Sequence, residues 1–171
     1  MYDLSLTHEQ IEIRDTVANF TRSKIRPTAI NPIHLEPVAK PLQVDLLEEA
    51  SALGMRTILV SNAANAIGAD LLTACLVFEE LSTGDVDIAV TLAHTAATGK
   101  LLFDHLLTDE QKAKFLSAFI EDDQFHLSFV RERGLERDGW SYHKPQSCVG
   151  SNQLTIKEID DGWLLNGHLQ D

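Results

Sequence analysis

The chain has 171 residues, of which 44% are apolar, so it is long enough to bury the core of one domain, or of one domain and part of another. Acidic residues outnumber basic ones by 26 to 14, which gives a formal net charge of −12. Phosphate groups repel such a surface, so we expect neither nucleic acid nor an anionic membrane as a partner. The charge indicates either a well-solvated surface or an acidic docking face.

Cysteine usage and the first residues of the sequence favour a cytoplasmic location. Cys75 and Cys148 are too few and too far apart for a disulfide framework or a zinc site, and we expect Cys75 to be a small core residue. Residues 1–20 are charged and contain no apolar segment of the kind that a signal peptide needs. The longest apolar stretch, residues 86–107, is interrupted by charged residues and histidines, so we expect no membrane-spanning helix.

A capping box predicts the start of the first helix. Thr7 is a good N-cap, and Gln10 follows three residues later, where its side chain can reach back to the cap. Apolar residues then recur at helical spacing, at Ile13, Val17 and Phe20. Pro27 is expected to end this helix or to follow it directly.

The second and third helices are predicted from proline, glycine and aspartate positions. The second runs over residues 41–53, with a proline in its first turn and Gly54 as its C-terminal cap. Residues 55–60 are apolar apart from one arginine and one threonine, and are read as a short extended piece. The third helix begins near Asp70 and is stopped by Gly84.

The fourth and fifth helices follow without a long connection. Residues 85–107 are rich in alanine and apolar on nearly all sides, which predicts a buried central helix. Thr108 and Gln111 form a second capping box at the start of the fifth helix. We expect the buried stripe of that helix to contain Phe115 and Phe119, together with Leu116 and Ile120.

The pattern then changes from helical to β. Residues 125–130 are interpreted as a strand, and residues 154–159 alternate between apolar and polar side chains. Asp160, Asp161 and Gly162 predict a turn, after which Trp163 opens another strand. The fold class is therefore mainly α: a helical domain over residues 4–123, followed by the incomplete beginning of a β-domain over residues 124–171. Two or three strands cannot bury a sheet face, so we expect a longer protein or a complementing chain to complete it.

Common catalytic and metal-binding motifs are absent from the sequence. It contains neither a phosphate-binding Gly-x-x-x-x-Gly-Lys loop nor a Gly-x-Gly-x-x-Gly turn. No histidine follows a glutamate at the Glu-x-x-His spacing of carboxylate-bridged di-iron bundles. His94 and His105 lie on one predicted helix but are separated by a rise of roughly 16 Å, so they cannot share a metal ion. We expect no metal site.

Several segments, in the right order, resemble the N-terminal domain of the acyl-CoA dehydrogenase superfamily. They are Leu6–Gln10, Leu53–Met55, Phe78–Asp85, Leu107–Lys112 and Asp161–Gly167, the last resembling a turn and strand of the family's middle β-domain. The resemblance implies a helical bundle of acyl-CoA dehydrogenase type followed by the first strands of that β-domain. Family members are FAD enzymes, usually oligomeric, that remove hydrogens from the α and β carbons of an acyl thioester.

The resemblance also implies positions for two binding sites. The family's fourth helix lines the end of the acyl slot, and the residues that match this stretch are His94, Thr95, Thr98 and Leu102. The family's first β-strand contacts the flavin, and the matching residues are Ser128, Phe129 and Val130. The catalytic base usually lies in a last helical domain, so no catalytic residue is expected in this chain. An electron-transfer flavoprotein is the implied electron acceptor.

Two motifs of the family are replaced in this sequence. Residues 130–135 stand where the family has Thr-Glu-Pro-x-Ala-Gly-Ser-Asp, and residues 62–68 stand where it has a Tyr-Gly-Gly loop. The sequence therefore leaves three hypotheses open. The chain is the N-terminal portion of a flavin-dependent dehydrogenase and is inactive by itself, or it is a non-catalytic helical assembly module without a flavin site. The third is an unrelated helical bundle whose resemblance to the family is coincidental.

Overall fold

The computed structural model describes residues 5–30, 43–61, 67–128 and 154–167. The chain divides into two compact units, residues 1–128 and residues 129–171. The described part of the first unit is helical, with α1 (His8–Phe20), α2 (Arg26–Ala29), α3 (Val44–Ala52), α4 (Leu71–Ser82), α5 (Val86–Lys100) and α6 (Asp109–Glu121). Two π-helical segments, Thr21–Ile25 and Leu101–Leu106, continue α1 and α5. The mainly α fold class predicted from the sequence is confirmed.

The first helix begins where the capping box predicts. The backbone N–H of Gln10 donates to Thr7 Oγ1 over 3.2 Å, and the N–H of Thr7 donates to Gln10 Oε1 over 3.0 Å. Pro27 was expected to end this helix or to follow it directly, and α1 itself ends at Phe20, before the proline. The helical path nevertheless continues past Pro27 to Ala29. The Arg26 N–H bonds to the Thr21 carbonyl oxygen, so the chain makes one wide π turn before α2. Pro27 then lies in the first turn of α2, directly after the π-helical segment.

The segment after α3 is a series of turns and not the predicted extended piece. Gly54 ends the helix with φ of +82°, a left-handed conformation that suits glycine, as the sequence indicates. The N–H of Thr57 bonds to the carbonyl oxygen of Gly54, and that of Val60 to the carbonyl oxygen of Thr57. All of residues 55–60 are buried. Their apolar side chains are accommodated by a series of turns within the helical unit and not by the two faces of a strand. The predicted helix start at residue 41 lies outside the described residues.

The main core lies where α4 packs between α1 and α5. Fully buried side chains from these helices include Val77, Leu81, Ile88 and Leu92. The prediction that Cys75 is a core residue is wrong, because its thiol is exposed. The buried positions of α4 are Thr73, Ala74, Val77 and Leu81, which lie on a different face of that helix from Cys75.

A second, smaller core joins α6 to the π-helical segment after α5. Its buried members are Val60, Phe103 and Phe119, and Leu116 and Ile120 pack against them partly buried. The rings of Phe103 and Phe119 stack with centroids 4.9 Å apart. The prediction for Phe115 is wrong, because this side chain is 41% exposed whereas Phe119 is fully buried. The buried stripe of α6 therefore runs along Leu116, Phe119 and Ile120 and leaves Phe115 at its edge.

The described part of the second unit is a two-stranded antiparallel hairpin, as predicted. Strand β1 (Leu154–Ile159) pairs with β2 (Gly162–Gly167), and Asp160 and Asp161 form the connection. Ile156 lies opposite Leu165, and opposite residues share one face of the pair. Trp163, on that same face, is 63% exposed. A further strand was expected at residues 125–130, but 125–128 are not in a strand, and 129–130 lie outside the described residues.

Candidate functional site

The predicted acyl-slot residues lie on and directly after α5, whose start is fixed by an aspartate cap. The carboxylate of Asp85 accepts hydrogen bonds from the backbone N–H groups of Asp87 and Ile88, over 2.9 and 3.0 Å. This cap satisfies two of the N–H groups that have no partner within the helix, and its negative charge suits the helix N-terminus. The start of the helix is therefore fixed by a local cap within its own sequence.

One face of α5 is exposed to solvent. The prediction of a buried central helix therefore holds for the other faces of α5 only. Exposed residues recur at helical spacing along this face, and all but His94 are apolar: Val86, Val90, His94 and Ala97, followed by Leu101 at the start of the π-helical segment. Asp87, in the first turn, is also exposed. Val86 is 60% exposed and Val90 is 46% exposed. The opposite side of the helix carries Ile88, Leu92 and Ala96, which are fully buried in the main core. The helix thus presents a continuous apolar surface with one imidazole near its middle.

The structure does not bring the four predicted acyl-slot residues onto one open surface. His94 is exposed, whereas Thr95 is fully buried and Thr98 is 3% exposed. Leu102 lies in the π-helical segment and packs, partly buried, against the smaller core. At about 100° per residue, Thr95 is turned a quarter of the way round the helix from His94, and Thr98 only about 40°. His94 faces outward, and Thr98 lies one turn further along the helix, close to the same face but buried.

The hydroxyl of Thr95 is engaged by the backbone of the segment that follows α6. Its Oγ1 donates to the carbonyl oxygen of Leu127 over 3.2 Å and accepts from the N–H of the same residue, also over 3.2 Å. The Nδ1 atom of His126 lies 3.5 Å from the same hydroxyl. The buried Thr95 side chain therefore satisfies both backbone groups of Leu127, as a neighbouring strand would do in a sheet.

Arg56, which the sequence analysis did not single out, is the most deeply buried charged residue among those described. Its Nη1 donates to the carbonyl oxygens of Phe119 and Phe125, over 2.6 and 2.9 Å, and its Nη2 to that of Ile120 over 3.4 Å. These carbonyls include the last turn of α6, where a cation is favourable. The sequence signal for this role is a lone arginine inside the apolar run of residues 55–60.

Burial and nearby charges shift the pKa values of Arg56 and His126. Desolvation lowers the pKa of Arg56, while Asp123 and Asp122 act in the opposite direction. Desolvation also lowers the pKa of His126, and the nearby Arg56 charge lowers it further. The His126 imidazole is therefore neutral at physiological pH, and it can accept or donate a hydrogen bond according to its tautomer.

The predicted flavin-contacting residues lie where the first unit ends. Ser128 is exposed, and Phe129 and Val130 lie outside the described residues. The exposed Ser128 hydroxyl can donate and accept hydrogen bonds, as the polar edge of a flavin ring requires. Of the three predicted residues, Ser128 therefore has a side chain whose hydrogen-bonding groups suit a flavin.

An apolar pocket of about 220 Å³ lies elsewhere in the first unit, between α1, α4 and the turns after α3. Its lining includes Ile13, Met55, Ile58, Ile67 and Val77, with Glu12 and Thr16 as polar members. None of the predicted site residues on α5 lines it. Within the described ranges, no three His, Cys, Asp or Glu side chains are placed to hold a metal ion. No described helix is long and apolar enough to cross a membrane.

Solved structures contain the same fold, as two comparisons show. A chain in the structure of the electron transferring flavoprotein of Acidaminococcus fermentans, from work on flavin-based electron bifurcation, superimposes with a TM-score of 0.71 and 25% identity. A second structure, described as apo-form PigA, gives a TM-score of 0.69 at 20% identity and shows the same fold. Each alignment covers 97% of this chain, and 40% and 41% of the other chain.

The sequence comparisons give the family. Residues 7–123 match the model of the acyl-CoA dehydrogenase N-terminal domain. The short-chain specific acyl-CoA dehydrogenase of Clostridium acetobutylicum is 30% identical over 166 residues, which is 96% of this chain and 40% of that protein. The chain belongs to the acyl-CoA dehydrogenase family, and it spans about two-fifths of the length of the relatives that it matches.

Proposed function

We propose that this chain is the N-terminal portion of a flavin-dependent oxidoreductase that introduces an α,β double bond into an acyl thioester, in fatty acid metabolism. The observation that carries the proposal is the match to a short-chain acyl-CoA dehydrogenase over 96% of the chain, which includes the helices and the hairpin. Helical domain and β-region therefore belong to one protein of this type. We place the helical domain at residues 4–123 and the beginning of the middle β-domain at 124–171.

The acyl group would lie along the open face of α5, with His94 as its polar contact. Val90, Ala97 and Leu101 on the same face are apolar and exposed, so an acyl chain laid on them would remove apolar surface from water. Thr95 and Thr98 are buried beside this face, and Leu102 is partly buried after it. The imidazole of His94 makes this surface more polar than a plain fatty-acyl pocket.

The proposed cofactor is FAD, held in part by Ser128, Phe129 and Val130. When bound, the flavin supplies the acceptor for the β hydride of the acyl group. Ser128 offers its hydroxyl and backbone at the end of the first unit, where the side chain is exposed. We assign no catalytic residue to this chain, and we expect it to be inactive by itself.

The proposed protein is cytoplasmic and works as a homo-oligomer or with a complementing chain. The exposed apolar face of the hairpin, which includes Ile156, Trp163 and Leu165, supports completion of the sheet by further strands. An electron-transfer flavoprotein is the proposed electron acceptor, and an acyl thioester the proposed substrate. The carrier is coenzyme A or an acyl carrier protein.

A non-catalytic assembly module is the second candidate function. Residues 130–135 replace the family motif that contacts flavin and substrate, and this replacement favours a protein that kept the fold and lost the cofactor. Such a module would use the same exposed surfaces for subunit contacts alone.

Visible absorbance separates the two functions. We would purify this chain and the longest natural protein that carries it, supply FAD to both, and remove unbound flavin by gel filtration. We expect flavin bands in the longer protein, which bleach when butyryl-CoA is added without oxygen, and no bands in the chain alone. A longer protein that retains no flavin after FAD is supplied would overturn the dehydrogenase proposal and favour the assembly module.

A further inference from the structure

The backbone that leaves the helical unit is held at two points by side chains from distant parts of the sequence. Arg56 Nη1 donates to the carbonyl oxygen of Phe125 over 2.9 Å. Thr95 binds both the N–H and the carbonyl oxygen of Leu127 over 3.2 Å. We call Arg56 and Thr95 the exit clamp. The two contact points lie on either side of His126, so one residue of backbone is fixed from both directions.

The first half of the exit clamp joins this segment to the end of α6. The guanidinium of Arg56 is 1% exposed and bonds to the carbonyls of Phe119 and Ile120 as well as to that of Phe125. Burying a cation is unfavourable unless several acceptors surround it, and here three backbone carbonyls do so. The rings of Phe125 and Phe119 also meet in a T-shaped arrangement, with centroids 5.6 Å apart. The last turn of α6 and the backbone of residues 125–128 are therefore joined by the same guanidinium and the same ring contact.

The second half of the exit clamp joins the segment to α5. The Thr95 side chain is fully buried, and its single hydroxyl satisfies a donor and an acceptor of Leu127. Backbone groups that lose their partners in such a place must open to water or remain unpaired, and either outcome loosens the segment. Thr95 thus links the position of the segment to the same helix whose open face carries His94.

We propose that Arg56 and Thr95 are positioning residues, which fix the backbone of residues 125–128 and thereby set the position of Ser128, the described residue that we take to contact the flavin. This inference rests on the proposed function, because it takes the flavin to contact residues 128–130. It assigns to Thr95 a hydrogen-bonding role toward the protein's own backbone, and it assigns a role to Arg56 that the family resemblance did not indicate.

The test compares three threonine variants of α5. Thr95→Val keeps the shape of the side chain and removes the hydroxyl, and Thr95→Ser keeps the hydroxyl. Thr91→Val makes the same chemical change one turn earlier on the same helix, at a half-buried position. Amide hydrogen exchange of residues 125–128 is measured in this chain. The FAD dissociation constant is measured by flavin fluorescence in the longest natural protein that carries it.

We expect Thr95→Val to speed exchange of the Leu127 amide by about tenfold or more, and to weaken FAD binding by about tenfold. Thr95→Ser should restore both, and Thr91→Val should change neither. Unchanged exchange at Leu127 in Thr95→Val would overturn the exit clamp, and faster exchange with unchanged FAD affinity would overturn its positioning role. Failure of the wild-type longer protein to bind FAD would instead overturn the proposed function, and the exchange result would still decide whether the clamp holds the segment.

Discussion

The guanidinium of Arg56 contacts Phe119 in two ways: its Cζ lies 4.7 Å from the ring centroid, and its Nη1 donates a 2.6 Å hydrogen bond to that residue's carbonyl oxygen. The same ring stacks on Phe103 and meets Phe125 edge-on. The smaller core is therefore built around a cation and an aromatic ring, and it ties the end of α6 to the turns that follow α3.

The first prediction concerns the loss of this cation. Arg56→Met keeps an apolar stem of similar length but leaves the carbonyls of Phe119 and Phe125 without their donor. We expect the free energy of unfolding to fall by about 2–4 kcal/mol, measured by urea denaturation. Arg26→Met removes an exposed arginine from α2 and should cost less than about 0.5 kcal/mol. Equal effects of the two substitutions would show that the buried hydrogen bonds add nothing to stability.

The second prediction concerns the close approach of α5 to the aromatic cluster. A Cβ atom on Gly99 would lie 2.9 Å from Phe119 Cζ and 3.4 Å from Val60 Cγ2. Alanine is the better helix former, but overpacking here should outweigh that gain, and we expect Gly99→Ala to lose about 1–2 kcal/mol in denaturant unfolding. Combining it with Phe119→Leu should cost less than the sum of the two single changes, because the smaller side chain makes room. Strict additivity would contradict the contact.

The third prediction separates two capping boxes that look alike in sequence. Gln10 is 8% exposed, and its Nε2 lies 3.4 Å from both Asp70 Oδ2 and Thr73 Oγ1, whereas Gln111 is exposed. Gln10→Ala therefore removes a cap and a link between α1 and α4, and Gln111→Ala removes a cap alone. We expect Gln10→Ala to lower the melting temperature more than Gln111→Ala does. The difference should correspond to an additional loss of about 1 kcal/mol in the free energy of unfolding. The same melting temperature for both would argue that the link contributes nothing.

The fourth prediction concerns pH and His126. Burial and the Arg56 charge hold its pKa below the ordinary value of 6.5, while Asp122 and Glu48 oppose this shift. As the pH falls below 6.5, the unfolded chain takes up a proton at this position before the folded one does. The histidine's contribution to stability is thus complete above the unfolded pKa, and it is lost as the pH falls toward the folded pKa.

We therefore expect the free energy of unfolding of the wild type to decline between roughly pH 7 and pH 5 more steeply than that of His126→Gln. His105→Gln, at an exposed position after α5, serves as the control and should follow the wild type. A wild-type decline no steeper than that of His126→Gln would show that His126 is protonated equally in both states.

The sequence by itself determined the local structure of the helices and the hairpin. The capping boxes at Thr7 and Thr108, the helix end at Gly54 and the turn at Asp160–Gly162 all occur where residue type predicts. These features depend on hydrogen bonds and dihedral angles within a few residues, so nearby residues suffice to specify them. The ordered series of family motifs also gave the family, which the comparison over residues 7–123 confirms.

Only the tertiary structure decided which sides of these elements are buried and what the buried polar groups bind. Cys75 and Phe115 fit an apolar stripe in the sequence, yet both are exposed, because the packing of neighbouring helices selects one face of each. The partners of Arg56 and Thr95 lie between 31 and 69 residues away along the chain. Hydrogen bonds over such distances exist only after the helices have packed, and so no local pattern predicts them.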